Sequence, residues 1–343
     1  MKTMLVLSMG ALLLAGTLSA QTPVPEWQAG VDKMKSLIQT NPAQASEEVG
    51  ELLKGKNKKN VDLVTSVAHV YLDAGKLTEA QEYLAMAKKA NNKDPKVSVL
   101  EGDIALAQKN IGQACQLYEQ AIYFDPNCKE AYLKYAQAYK SASPALAIEK
   151  LEQLKAVDPN CLEADRELAE VYYSSNRFGK AAEMYAKFID TPLATEDDML
   201  KYAFALFLNH DFEKSLQVAQ KGLQKNARHA AFNRLVMYNN TDLKRYEDAE
   251  KAAHAFFNAS DRADYSYLDY RYYGALLSAL KKYDEAIIEY GKALEKDGTQ
   301  VDLWREISDA HEMNNNYAEA IAAYRKYYDA LAKTRRLLKH YSS

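Results

Sequence analysis

Small residues recur along this chain at a near-constant interval. Ala80, Ala114, Ala147, Ala181, Ser215, Ala249, Ala286 and Ala320 are separated by 34, 33, 34, 34, 34, 37 and 34 residues. Four residues after each stands Leu84, Tyr118, Leu151, Tyr185, Ala219, Ala253, Tyr290 or Tyr324. Twelve residues before most of them comes a second small series: Ala68, Gly102, Ala136, Ala169, Ala203, Gly274 and Ser308. Large residues keep the same step at Leu77, Ile111, Phe178, Phe212, Tyr246, Tyr283 and Tyr317. A fixed period of this length marks a stack of identical supersecondary units. Small residues at a helix crossing let two helices approach, and large ones three or four places away fill the space beside it. The unit is therefore a helical hairpin. With 13 glycines and 8 prolines in 343 residues, few breakers interrupt the helices, and no convincing strand is present.

The pattern resembles the tetratricopeptide repeat, whose first helix reads W-x2-L-G-x2-Y and whose second carries A-x3-F. The fullest copy is Tyr270, Tyr273, Gly274, Leu277, Tyr283, Ala286, Tyr290 and Ala293, followed by Trp304, Ile307, Ser308, Tyr317, Ala320 and Tyr324. The resemblance implies an all-α fold, a right-handed helical-hairpin solenoid of eight repeats over residues 61–333. Residues 21–60 are expected to form a degenerate N-terminal capping hairpin with Ser46 in phase. No breaker stands between Ala318 and Tyr341, so the last helix is expected to run long and close the other end, with residues 334–343 as its basic terminus. The third repeat is one residue short near Ser143–Pro144, and the sixth carries Met237 at a small position and three extra residues between Phe256 and Tyr267.

Residues 1–20, MKTMLVLSMGALLLAGTLSA, combine one lysine, an apolar run and small residues, the order of a secretory signal peptide. The expected protein is exported, periplasmic or, as the alternative, secreted. Cys128 and Cys161 occupy equivalent places in adjacent repeats. They should lie about a helix diameter apart, roughly 10 Å, beyond disulfide reach, and so read as small hydrophobes. The net charge of −3 offers no basic excess for a nucleic-acid backbone. No phosphate-binding loop, HExxH or G-x-S-x-G motif is present, and the six histidines are scattered. The chain therefore reads as a non-enzymatic scaffold or adaptor without cofactor or metal.

In the resembled family the first helix of each repeat lines the concave groove, and protein or peptide partners contact residues beside its packing stripe. Most groove positions here are polar. The fifth repeat differs: Met199, Tyr202, Ala203 and Leu206 make the stripe, leaving Leu200, Phe204, Phe207 and Leu208 on the groove side. Tyr173, Arg166, Arg234 and Tyr238 are expected around them. A patch of this kind marks interaction or assembly. Five tyrosines between Tyr265 and Tyr273 open an alternative, an envelope glycan-binding protein using exposed tyrosines around Tyr265 and Tyr272. A self-assembling structural subunit is the third reading.

Overall fold

The computed structural model describes residues 23–261 and 264–341, with side chains through Thr334; the expected leader lies outside the described residues. Every regular element among the described residues is helical. The chain divides into two compact units, residues 1–124 and 125–343.

The first unit begins with a hairpin of α1 (Gln28–Leu37) and α2 (Pro42–Leu52) and a short 3-10 turn at Gly55–Lys59. It continues with α3 (Val61–Asp73) and α4 (Leu77–Asn91), then α5 (Pro95–Ala107) and α6 (Ile111–Phe124). One core joins α1 through α5, from Val31 and Met34 through Leu63, Val64 and Val67 to Leu100. On α1 the residues facing away from that core are Ala29, Asp32, Lys33, Lys35 and Ser36, all exposed. This is a polar outer face of the sort that lets a repeat stack end in water.

The second unit contains six hairpins. They are α7 (Lys129–Tyr139) with α8 (Pro144–Val157), α9 (Leu162–Ser174) with α10 (Phe178–Phe188), and α11 (Glu196–Leu208) with α12 (Phe212–Lys225). Next come α13 (Ala230–Asp242) with α14 (Tyr246–His254), α15 (Tyr267–Ala279) with α16 (Tyr283–Lys296), and α17 (Asp302–Met313) with α18 (Tyr317–Tyr341). Successive first helices, such as α11, α13 and α15, touch one another, whereas successive second helices scarcely do. Within this unit the first helices therefore line the inner face.

Each hairpin is drawn tight by the small-and-large pairing. A Cβ added to Gly102 would fall 2.5 Å from the Tyr118 ring, and one added to Gly274 would fall 2.6 Å from the Tyr290 ring. Where serine replaces alanine, its hydroxyl serves the same crossing. Ser215 Oγ donates to the Ala203 carbonyl and Ser308 Oγ to the Ala320 carbonyl, both at 2.8 Å. Met237, out of pattern by size, is fully buried and belongs to the core of the sixth and seventh hairpins. The three cysteines are free; Cys115 and Cys161 are buried and Cys128 is half-buried.

A second periodicity lies in the turns, and sequence patterning alone did not show it. Gly75, Lys109, Asn176, His210, Lys244, Lys281 and Asn315 all have φ between 58° and 74°. Each follows a first helix by two residues. The next residue returns its N–H to a carbonyl in the last turn of that helix, as Arg177 does to Tyr172 and Asp211 to Leu206. This helix stop satisfies carbonyls that would otherwise be orphaned. The third hairpin lacks the left-handed residue. There α7 ends two residues short of the 13-residue first helices, Ser143 N–H bonds to the Tyr139 carbonyl at 2.7 Å, and Pro144 starts α8, so the residue missing from the sequence period is lost from the helix and not from the connection.

The extra residues of the sixth hairpin fall in the connection 260–266 that leads to α15, and the helix before it ends in a different form. α14 stops at His254 and continues as a π turn over Ala255–Ala259. Beyond it, Asp261 N–H bonds to the Arg228 carbonyl at 2.7 Å, and Arg228 Nε donates to the Asp261 carboxylate at 2.9 Å. α18 is one continuous helix, but it does not close the stack: Tyr317, Ile321, Tyr324 and Tyr328 on its surface are all more than half exposed.

The turn geometry gives a stability prediction. A side chain in left-handed conformation costs about 1–2 kcal/mol that glycine does not incur, offset by glycine's greater freedom when unfolded. Lys109→Gly, Lys244→Gly and Lys281→Gly are each expected to raise stability by about 0.5–1 kcal/mol, and Gly75→Ala to lower it by a similar amount. Urea unfolding midpoints followed by circular dichroism check both signs.

Candidate functional site

The inner face of the second unit is built from α9, α11, α13 and α15, and two helix starts fix its electrostatics. Thr195 and Asp198 form a reciprocal capping box at the head of α11, and Ser266 and Asp269 form another at the head of α15. Such boxes satisfy the free N–H groups of a helix start. Here each also aims its carboxylate at the preceding first helix. Arg166 donates from Nε to Asp198 Oδ1 at 3.2 Å and lies 3.1 Å from Oδ2 through Nη2. Arg234 holds Asp269 in the same two-pronged way, at 2.7 and 3.2 Å. Both aspartates are almost wholly buried, 1% and 0% exposed. Asp269 also accepts the Tyr238 hydroxyl at 2.7 Å and the Ser266 backbone N–H at 2.8 Å.

Other charges on this face are tied across hairpins as well. Lys201 Nζ donates to Glu170 at 3.0 Å and lies 2.9 Å from Asp197, and Tyr185 donates to Glu170 at 3.0 Å. Burial by itself would lower the Lys201 pKa, but the bonds to Asp197 and Glu170 outweigh it and raise the ammonium above its ordinary value. Lys129 bonds Glu163 and Arg271 bonds Glu306, both at 3.0 Å.

The apolar residues sit between these pairs. Leu200, Phe204 and Phe207 on α11 are half-buried against the core formed by Met199, Ala203, Phe232 and Leu235, and Leu208 is 44% exposed. Phe207 has the Phe212 ring at 5.6 Å, the Tyr238 ring at 5.7 Å and the Tyr272 ring at 6.5 Å. Tyr238 and Tyr272 stack at 3.9 Å and 12°. Tyr173 is half-buried with its ring edge-on to Phe178. The structure thus brings Leu200, Phe204, Phe207 and Leu208 onto one helix. Tyr238, by contrast, lies beneath the surface, 3% exposed, as a support for Phe207. Arg166 and Arg234 are occupied as pins between repeats.

The tyrosine-rich segment is packed into the protein. Phe257, in the π turn, lies between Tyr270 and Tyr273, with ring centroids 5.4 Å away on each side. Tyr265 packs edge-on to Phe256 at 5.3 Å and donates to the Phe257 carbonyl at 3.2 Å. Tyr272 donates to Asp242 at 2.8 Å. None of the five is exposed. The end of the sixth repeat and the start of the seventh therefore build an aromatic cluster around Phe257, to which the lengthened connection contributes Tyr265, and which the 34-residue phase does not reveal.

The architecture and its period decide the family. Its description, tetratricopeptide repeat, matches residues 68–128, 136–193 and 274–333, just over half of the chain. The chain belongs to the tetratricopeptide-repeat family. No curated protein matches it. Among solved structures it is similar to PilF of Pseudomonas aeruginosa, at 15% identity and TM-score 0.48 over 65% of this chain and 99% of that one. It is also similar to a tetratricopeptide repeat protein from Parabacteroides merdae, at 15% identity and TM-score 0.44 over 73% and 98%. A third is MamA of Desulfovibrio magneticus RS-1, at 19% identity and TM-score 0.41 over 48% and 93%. A tetratricopeptide-repeat scaffold is the kind of fold that serves protein–protein interaction, and among the described residues no group of three or more His, Cys, Asp or Glu side chains is placed to hold a metal.

The charges and the rings each give a prediction. Asp269→Ala leaves the Arg234 guanidinium and the Tyr238 hydroxyl without their partner, and is expected to cost about 3–5 kcal/mol, read from the urea midpoint. Burial, together with nearby acidic groups, pushes the Tyr83 and Tyr273 hydroxyls up to about 12. The folded form then holds protons that the unfolded chain releases near pH 10, so stability is complete below pH 10 and falls as pH rises toward 12. Melting temperature and tyrosinate absorbance over that window test the sign.

Proposed function

We propose that this chain is an exported scaffold that seats an apolar, helical segment of a protein partner on the inner face of its fifth repeat. The observation that carries the reading is the row Leu200, Phe204, Phe207 and Leu208 on α11, half-buried to exposed beside charges already paired with one another. A helix laid in an apolar groove gains its affinity from side chains at i, i+3, i+4 and i+7, and the row on α11 offers a stripe of matching length at steps of four, three and one. Tyr173 stands on one side, and the stacked Tyr238 and Tyr272 back Phe207 on the other. The pinned Arg166 holds α9 to α11 and the pinned Arg234 holds α13 to α15, so both sides of the surface are ordered before anything binds, which favours binding. Export rests on residues 1–20 and their leader-like order; fractionation of cells between periplasm and medium tests it.

The glycan-binding alternative needs Tyr265 and Tyr272 open to solvent, and both rings are half-buried against other aromatics, which counts against it.

Because Phe207 also packs inside the protein, the test uses its more accessible neighbours. Tagged wild type and a Phe204→Glu/Leu208→Glu variant, matched in circular dichroism and melting, are used to capture partners from the envelope fraction. A partner recovered with the wild type and at least tenfold depleted with the variant is the expected outcome. A partner retained by the well-folded variant moves the binding surface off α11.

A further inference from the structure

The connection between α2 and α3 is longer than its counterparts. It runs over eight residues, 53–60, where the connections after α4, α6 and α8 take three, four and four. Its extra length forms the 3-10 turn Gly55–Lys59, of sequence GKNKK. Two asparagines hold that turn in place. Asn57 Nδ2 donates to the Leu52 carbonyl at 2.8 Å, and Asn60 caps α3 by accepting the Leu63 N–H at 3.2 Å. So anchored, the turn packs on α4. Between them lies a cavity of about 640 Å³, lined by Lys58, Lys59, Ala85, Met86, Lys89 and Ala90. Small-molecule sites span roughly 300–1,000 Å³. The lysines that line the cavity differ from those beside it. Lys54 is held by Glu51, Lys88 by Glu101 and Lys96 by Asp62. The side chains of Lys58, Lys59 and Lys89 make no ion pair or hydrogen bond among the described residues. No carboxylate lines the cavity, and the exposed acid of α4 nearest in sequence, Glu82, stands one turn before Met86.

We propose that this cavity binds a long-chain carboxylate, with its head among the three ammonium groups and its alkyl chain along Ala85, Met86 and Ala90. The lining dictates both halves of the ligand. Three unpaired cations call for an anion. The methyl groups of the alanines, the Met86 thioether and the lysine stems, which are themselves apolar, call for a hydrocarbon. Met86 is unbranched and polarizable, and so adapts to a flexible chain. Other anions fit less well. No lining side chain carries an accepting oxygen, so an extended acidic peptide or an acidic sugar would bring N–H or O–H donors that find no partner there. No arginine fork is present to grip the several oxygens of a phosphate; lysine offers compact point charge instead, which a single carboxylate can share. The cavity lies in the first unit and owes nothing to the row on α11, so the partner reading above and this one stand or fall separately.

Isothermal titration calorimetry of the purified protein with laurate, kept below its micelle-forming concentration, is the test. Laurate is expected to bind one to one, and butyrate and the uncharged dodecyl maltoside at least tenfold more weakly. Lys58→Gln/Lys59→Gln/Lys89→Gln is expected to weaken laurate binding at least tenfold. Lys35→Gln/Lys225→Gln/Lys296→Gln removes the same charge from exposed positions elsewhere and should leave it unchanged. Ala85→Glu sets a carboxylate and its stem into the cavity from an exposed helical position, so it should fold normally by circular dichroism yet lose laurate. The proposal is overturned if the wild type binds no laurate, if butyrate or the maltoside binds equally well, or if a folded cavity variant keeps its affinity. An equal loss in the remote lysine variant also overturns it, by reducing the effect to net charge. So does binding to phosphatidylglycerol vesicles without binding to laurate, which would make these lysines a membrane-surface contact.

Discussion

Everything in this structure depends on the contact between a residue with almost no side chain on one helix and a large group on the next. At Gly102 and Gly274 no Cβ intervenes before the tyrosine ring, so the two helices meet along bare backbone and an aromatic face. Gly222 extends the device between repeats, since a Cβ there would fall 2.5 Å from the Phe232 ring of the following hairpin. Interiors packed to crystal-like density do not tolerate a shift of even one methylene without strain. The contact therefore sets the spacing of each hairpin and, by repetition, the spacing of the stack.

Spacing does not determine register, and polar contacts supply it. Arg166 with Asp198, Arg234 with Asp269, Arg271 with Glu306 and Lys201 with Glu170 each join a first helix to its neighbour. Surface pairs of this kind contribute little. The two that end on buried capping aspartates differ, because the same carboxylate closes a helix start and locks the neighbouring helix. Buried, fully bonded charge is costly to disrupt and so favours one arrangement over its near alternatives. In a stack where each repeat contacts only its neighbours, such local locks must be renewed at every step, and the first helices carry them.

The hairpin period was legible because it rests on side-chain size, which a sequence states directly. Cross-repeat pairing was less so. Asp198 and Asp269 read as ordinary helix-start acids, and their second partners, 32 and 35 residues earlier, become visible only once adjacent first helices are aligned. Thr195-x-x-Asp198 and Ser266-x-x-Asp269, each with an arginine about one period upstream, are the signal that could have been used. Position number alone also placed Tyr238 on the rim, whereas its hydroxyl is drawn inward by Asp269 and its ring by Tyr272. The length of α18 came from the absence of breakers. Its exposed stripe was not legible, because exposure depends on the neighbours packed against a helix as well as on the helix itself.

The pairing of charges also bears on how the inner face can recognise anything. Cations and anions there are largely committed to one another, so a charged ligand would have to displace an existing partner before gaining a new one. Half-buried apolar side chains have no such prior commitment: water is what leaves them, and its release is favourable. The row on α11 is thus the part of the face where association meets the least competition from the protein's own contacts. Its backing by Phe212, Tyr238 and Tyr272 around Phe207 limits the freedom those side chains would otherwise lose on binding. The same interactions that hold the repeats in register therefore leave an ordered apolar strip at the fifth repeat.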